Sequence, residues 1–256
     1  MKIKAEDMTL YAVTDAAWTG EKTLLQQVEE ALEGGITFLQ LREKHLSEEA
    51  FLKEALEIKA AARRFQVPFV INDNIEIALE SGADGVHVGQ DDMPVEEVRK
   101  RLGNDKIIGV SAHNVEEALK AEKGGADYLG VGAVYATSTK QNASVVSMDE
   151  MKRICQAVHI PVAAIGGIKK DNLQILKGTG VDGVAVVSGI FAQKDIRKAA
   201  FELLEAVKEM KKGQKRRRGL KQGRESKLKK KRNAGRRSVK NREERPTGAL
   251  AQPINA

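Results

Sequence analysis

Gln40, Arg42 and Lys44 alternate with Leu39, Leu41 and Glu43. On an extended chain alternate side chains share a face, so an amide and two cations face one way while two leucines face the other. Cations gathered in a partly buried place are costly unless an anion or carboxylate meets them. The set therefore suits an anionic ligand, and a salt bridge on a rim is the plainer alternative. Two carboxylate runs follow, Asn72-Asp73 and Gly89-Gln90-Asp91-Asp92. Hard oxygen donors from adjacent loops can share Mg²⁺, which keeps water and substrate phosphate as its other partners. Taken singly, Asp73 and Asp92 each stand ahead of a helical pattern and read as helix N-caps. Beside the basic set, the metal reading gains ground.

Further along come Ser111 and His113, then a hydroxyl-rich run, 135–144, that holds Thr137, Ser138, Thr139 and Lys140. Short hydroxyl donors and a point charge suit phosphate oxygens, and the run is long for a plain connector. Two apolar runs then end in Gly166-Gly167 and in Ser188-Gly189. Turns of that kind let backbone N–H groups approach an anion with no Cβ in the way. Loop punctuation explains either pair alone; the two in tandem favour a phosphate site. His87, between Val86 and Val88, reads as a packed interior residue outside the chemistry. Cys155, on a helical pattern with Met151, Ile154 and Val158, reads as buried filler.

These groups need a scaffold that brings them to one place. Strand-like apolar runs recur at 8–14, 36–41, 69–71, 85–88, 107–110, 128–134, 162–165 and 184–187. Between them lie amphipathic helical patterns at 23–33, 47–65, 74–81, 94–101, 115–123, 148–158, 170–177 and 194–210. Eight of each is the count of a (β/α)8 TIM barrel, an α/β fold whose chemistry sits at the C-terminal strand ends and whose phosphate site often follows strands seven and eight. An open doubly wound sheet shares the alternation. In the helix of the last βαβ unit, Ile168, Leu173, Ile175 and Leu176 are the expected apolar contacts. Gly-Ala-Asp or Gly-Val-Asp recurs just ahead of strands, at 82–84, 125–127 and 180–182. Glycine there can end a helix in the left-handed conformation, and these triplets are expected to be structural, on the face away from the site.

The 256 residues divide by charge. Residues 211–256 hold 18 Lys and Arg against 3 Glu, whereas 1–210 hold 25 basic against 33 acidic residues. The expected division is a barrel over 1–210 and a basic, disordered tail over 211–256, since high charge with few apolar residues cannot build a core. Runs such as KRRR and KLKKKR attract a phosphate backbone. With no aromatic to stack on bases, the tail is expected to bind nucleic acid only weakly and without sequence preference. No run of about 18 apolar residues is present, so no transmembrane helix is expected, and residues 1–7 lack the apolar core expected of a secretory signal. A single Cys fits a reducing cytoplasm.

The motifs QLREK, IND, GVHVGQDD, GVSAH, TSTK, AIGGI and VVSGI, in this order and spacing, resemble those of the thiamine phosphate synthase family over about residues 8–207. The resemblance implies a (β/α)8 barrel that joins a hydroxymethylpyrimidine diphosphate to a thiazole phosphate, releasing pyrophosphate with Mg²⁺ as cofactor. It implies that Gln40, Arg42, Lys44 and Asn72 bind the pyrimidine diphosphate, and that Asp73 and Asp92 hold Mg²⁺. Ser111 and Lys140 would contact the pyrophosphate. Thr137, Thr139, Gly167, Val187 and Ser188 would hold the thiazole phosphate, the last two mainly through backbone. Arg42, Lys44, Lys140 and Ser111 would carry the catalysis. Ala136 stands where the family usually has Pro, which removes no ligating group. A thiazole tautomerase on the same barrel is the nearest alternative, but it could dispense with the diphosphate and metal residues present here. A sugar-phosphate epimerase or an indole-forming synthase would not call for the Asp73–Asp92 pair.

Overall fold

Alternation along each strand sorts side chains into two cores. A computed structural model describes residues 3–136 and 145–213. The compact unit that ends at Lys212 is built on eight parallel strands: β1 Leu10–Val13, β2 Phe38–Leu41, β3 Phe69–Asn72, β4 Gly85–Val88, β5 Ile107–Ala112, β6 Tyr128–Val131, β7 Val162–Ile165 and β8 Gly183–Val186. They pair in chain order and β8 closes on β1, so the sheet is a barrel rather than an open wound sheet. Outward residues such as Leu39, Leu41, Val86 and Val88 join the large core under the helices. Inward residues, among them Tyr11, Phe38, Val70, Ile107 and Tyr128, form a separate core inside the barrel. Tyr11, Phe38 and Tyr128 meet there edge-on, with ring centroids 4.8 to 5.8 Å apart, a geometry that suits the aromatic quadrupole.

The helices are α1 Leu24–Glu33, α2 Glu48–Arg64, α3 Ile75–Glu80, α4 Val95–Leu102, α5 Val115–Gly124, α6 Met148–Ala157, the single turn α7 Ser188–Phe191, and α8 Ile196–Lys211. Thr23, Ser47, Asn74, Asn114, Ser147 and Asp195 cap α1, α2, α3, α5, α6 and α8 through their side-chain oxygens. One expected helix is reduced: after β7 the chain makes only a 3₁₀ turn, Leu173–Leu176. Asn172 explains this, since its side chain accepts from Lys169 N–H and donates to the Gly167 carbonyl. Such local bonds compete with helix propagation. Ile168, Leu173 and Leu176 are buried as expected, but Ile175 is 49% exposed because the short turn presents it to solvent.

The recurring Gly-x-Asp triplets sit at the N-terminal end of the barrel. Asp84, Asp127 and Asp182 accept the N–H of Phe69, Ile108 and Val162 in the preceding strand at 2.8 to 2.9 Å. Thr37 does the same for Leu10 ahead of β2. Each even-numbered strand therefore begins with a side chain that satisfies an odd-numbered neighbour's backbone donor. Gly82, Gly125 and Gly180 adopt positive φ in these turns, as the triplets require. Cys155 is half-buried against the outer core. Among the described residues no helix is long and apolar enough to cross a membrane. The basic tail, with its expected disorder, lies outside the described residues.

Candidate active site

The C-terminal strand ends surround a cavity of about 320 Å³. Gln40, Arg42 and Lys44 line one side of it, with Asn72, Asp73 and Asp92 beside them. Ser111 comes from the end of β5 and His113 directly follows it, and Gly167, Val187 and Ser188 line the side formed by β7 and β8. These eleven residues, all singled out in the sequence, thus share one mouth. Thr137, Thr139 and Lys140 lie outside the described residues.

Both cations are met by carboxylates. Lys44 Nζ lies 2.6 Å from Asp73 Oδ2, and Arg42 lies 3.7 Å from Asp15 Oδ2. Asp15 was not singled out in the sequence, although it also follows a strand end. Its other carboxylate oxygen accepts from Ala17 N–H, which fixes its direction. The Arg42 backbone N–H donates to Thr14 Oγ1, anchoring the start of the loop after β2.

Asp73 and Asp92 do not cap helices. Asn74 caps α3, accepting from Ile77 N–H, and Asp73 instead takes a left-handed backbone with φ of +60°. A non-glycine residue there is strained, though Asp tolerates it better than most. The Asp73 N–H donates to the His87 carbonyl, and its carboxylate accepts from Asn72 Nδ2 at 2.6 Å as well as from Lys44. At α4 the cap position is Pro94, and Asp92 accepts from Gly89 N–H at 2.6 Å. Burial raises the Asp92 carboxyl above the usual carboxylate range; the Gly89 N–H opposes this, and the neighbouring Asp73 carboxylate adds to it. Two hard carboxylates held together, one of them resisting ionisation, fit a divalent cation bound with water and substrate oxygens. Among the described residues no cluster of three or more metal-ligating side chains occurs, so the pair would need those outside ligands.

The two glycines after β7 both have positive φ, at +104° and +64°. A Cβ on Gly166 would meet Ala133 at 2.6 Å, and one on Gly167 would meet Tyr135 at 2.7 Å. Their absence of side chain therefore also lets the chain after β6 run against the end of β7, where Val134 and Tyr135 N–H groups bond to Ile165 and Gly166 carbonyls.

Below the mouth lies a polar chain that the sequence reading left out. Gln40 Nε2 donates to the Tyr11 hydroxyl. The Tyr11 and Tyr128 hydroxyls are 2.8 Å apart, Tyr128 OH is 3.0 Å from His87 Nδ1, and His87 Nε2 is 3.0 Å from Ser111 Oγ. Burial pushes both phenols above their ordinary range, so each keeps its one proton. Glycines make the room: Gly109 lies across from His87 and Tyr128 in register, and a Cβ on it would collide with both rings.

Residues 10–190 match a family model described as thiamine monophosphate synthase. The chain belongs to this family. The thiamine-phosphate synthase of Ruminiclostridium cellulolyticum is 53% identical over 199 residues, covering 78% of this chain and 95% of that one. That of Methanobrevibacter smithii is 48% identical over 202 residues, covering 79% and 96%. A solved thiamine phosphate pyrophosphorylase from Pyrococcus furiosus superposes with a TM-score of 0.75 at 39% identity, covering 80% of this chain and 98% of that one. The expected family, barrel and transferase class are those of the thiamine-phosphate synthases. Within that family's fold, the cavity described above is the place where strand ends from β2 to β8 converge.

Proposed function

We propose that this mouth joins a hydroxymethylpyrimidine diphosphate to a thiazole phosphate, forming thiamine phosphate and pyrophosphate, with its two anions bound on opposite sides. The observation that carries the division is the grouping of Arg42, Lys44, Asp73 and Asp92 on one side of the cavity and of Gly167, Val187 and Ser188 on the other. The first side suits a diphosphate, the second a monophosphate held by backbone groups. In the reaction the bond from the pyrimidine's exocyclic carbon to the diphosphate oxygen breaks, and its electron pair leaves with pyrophosphate. The thiazole nitrogen lone pair forms the new C–N bond, leaving a thiazolium cation. Such chemistry needs neutralisation of the departing charge and a closely held nucleophile.

Arg42 and Lys44 would take up the growing charge on the leaving group, with Asp15 and Asp73 holding them in place beforehand. Gln40 and Asn72 would orient the pyrimidine, and Ser111 with Lys140 would donate to the pyrophosphate. Thr137 and Thr139 would join the monophosphate side. Asp73 and Asp92 are the residues that would hold Mg²⁺, which when bound supplies further charge neutralisation for the diphosphate. The reducing cytoplasm is the setting that fits the lone Cys155, and weak nucleic-acid binding by the tail stays a separate proposal. Incubation of the purified protein with both substrates, with and without Mg²⁺, tests the reading. Thiamine phosphate and pyrophosphate should appear in equal amounts; rearrangement of the thiazole alone would point to a tautomerase.

A further inference from the structure

Hydrogen-bond direction along the buried chain carries one more step. Each hydroxyl in it has a single proton, a neutral imidazole carries one N–H, and a buried proton left without an acceptor is costly, so the direction of the first bond sets the direction in which the others are all satisfied. Gln40 presents its amide nitrogen to Tyr11 and can only donate there. With Gln40 donating to it, the Tyr11 hydroxyl places its own buried proton on Tyr128, and Tyr128 in turn places its proton on His87 Nδ1. That leaves the imidazole proton on Nε2, donating to Ser111 Oγ at 3.0 Å. The Ser111 hydroxyl, having accepted that bond, has its own proton to spare for the cavity that it lines. In the reverse direction Ser111 would donate into the barrel and present only lone pairs to an anion.

We infer that His87 is a positioning residue: held as the Nε2–H tautomer by the Gln40–Tyr11–Tyr128 chain, it turns the Ser111 hydroxyl into a donor aimed at the bound anion. The kinetic part rests on the proposal that Ser111 contacts the pyrophosphate; the tautomer does not. Gly109 and Gly130 support a built arrangement, since a Cβ on Gly109 would lie 2.5 Å from His87 Nδ1 and one on Gly130 would lie 3.1 Å from its Cε1. The ring's position is thus set from two strands.

The test combines a spectrum with kinetics on the full chain. Long-range ¹H–¹⁵N correlation should show His87 with a protonated Nε2 and an unprotonated Nδ1. Tyr128→Phe, which removes the donor to Nδ1, should move the ring toward the Nδ1–H form. His87→Leu should lower kcat by roughly 10- to 100-fold, the range for a hydrogen bond to a charged group. In a Ser111→Ala background the same change should cost little more. His87→Gln, with an amide nitrogen near the place of Nε2, should recover much of the loss, and His87→Asn should not. An Nδ1–H tautomer in the unaltered protein would overturn the inference, as would losses from His87→Leu and Ser111→Ala that multiply. If the protein makes no thiamine phosphate at all, the functional proposal falls, while the tautomer still decides the hydrogen-bond direction.

Discussion

Replacing Arg42 by Ala tests the division of the mouth most directly. The guanidinium is a half-buried charge whose carboxylate neighbour, Asp15, stands 3.7 Å away. A long, partly exposed pair of this kind contributes at most about 1 kcal/mol to folding, and the backbone bond from Arg42 to Thr14 survives the change. Thermal stability should therefore move little. Catalysis should move much more. Two unit charges about 4 Å apart interact by roughly 4 kcal/mol at an effective dielectric near 20, and the departing diphosphate gains charge as its bond breaks. Allowing for the part already offset by Asp15, a loss of about 3 kcal/mol is expected, on the order of 150-fold in kcat. Steady-state rates with each substrate varied in turn provide the assay, with Arg42→Lys as a partial rescue. A loss confined to KM for the thiazole phosphate, or a change in kcat below about fivefold, would refute the placement of the diphosphate.

Alanine at Asp73 or Asp92 should abolish Mg²⁺-dependent turnover and leave the barrel folded, because both groups lie past strand ends; full activity at low Mg²⁺ in both variants would show that the pair holds no metal. Truncation after Lys212 should preserve activity and remove retention on heparin at low salt, whereas loss of folding would assign the tail a structural role. Burial pushes the Glu117 carboxyl up, but bonds from the His113 ring, the His113 N–H and Asn114 outweigh it and hold the group below its unfolded value of 4.5. Its contribution to stability is thus present above that value and lost as pH falls through the lower folded one. Urea midpoints for the protein and for Glu117→Gln should differ at pH 7 and draw together as the pH is lowered below 4.5; a gap independent of pH would contradict this.

The barrel was legible because strand period and helix period alternate without interruption from Leu10 to Met210. The site was legible because its polar residues cluster at strand ends, where Gln40, Arg42 and Lys44 keep one parity across and beyond β2. Two kinds of feature escaped. Adjacent residues of the same capping type, Asp73 and Asn74, differ in role only through the backbone, which places Asp73 at φ +60° and gives the cap to Asn74. The His87 chain escaped because its partners lie far apart in sequence, 41 residues from His87 to Tyr128 and 117 from Tyr11 to Tyr128. A signal for it did exist: polar or phenolic residues at inward positions of β1, β2, β4 and β6, with glycine at inward positions beside them. Asp15 carried a similar signal, a lone acid after a strand end, too common a pattern to weigh without Arg42 in view.

Aspartate shows how far position, rather than residue type, decides the outcome in this fold. At the N-terminal end, Asp84, Asp127 and Asp182 each take a backbone N–H from a neighbouring strand. That exchange satisfies a buried donor which would otherwise cost about 1 to 3 kcal/mol, and it leaves the carboxylate committed. At the C-terminal end, Asp73 sits on a strained backbone beside a second carboxylate, and burial with that neighbour raises Asp92. Nothing in the barrel's own packing gains from bringing two like charges together there. The cost is understandable if the pair exists for a cation and a diphosphate that arrive from outside, with Lys44 standing against Asp73 in the meantime. The same residue type therefore stabilises one end of the barrel and stores unfavourable charge at the other, which is the end where the proposed function places its ligands.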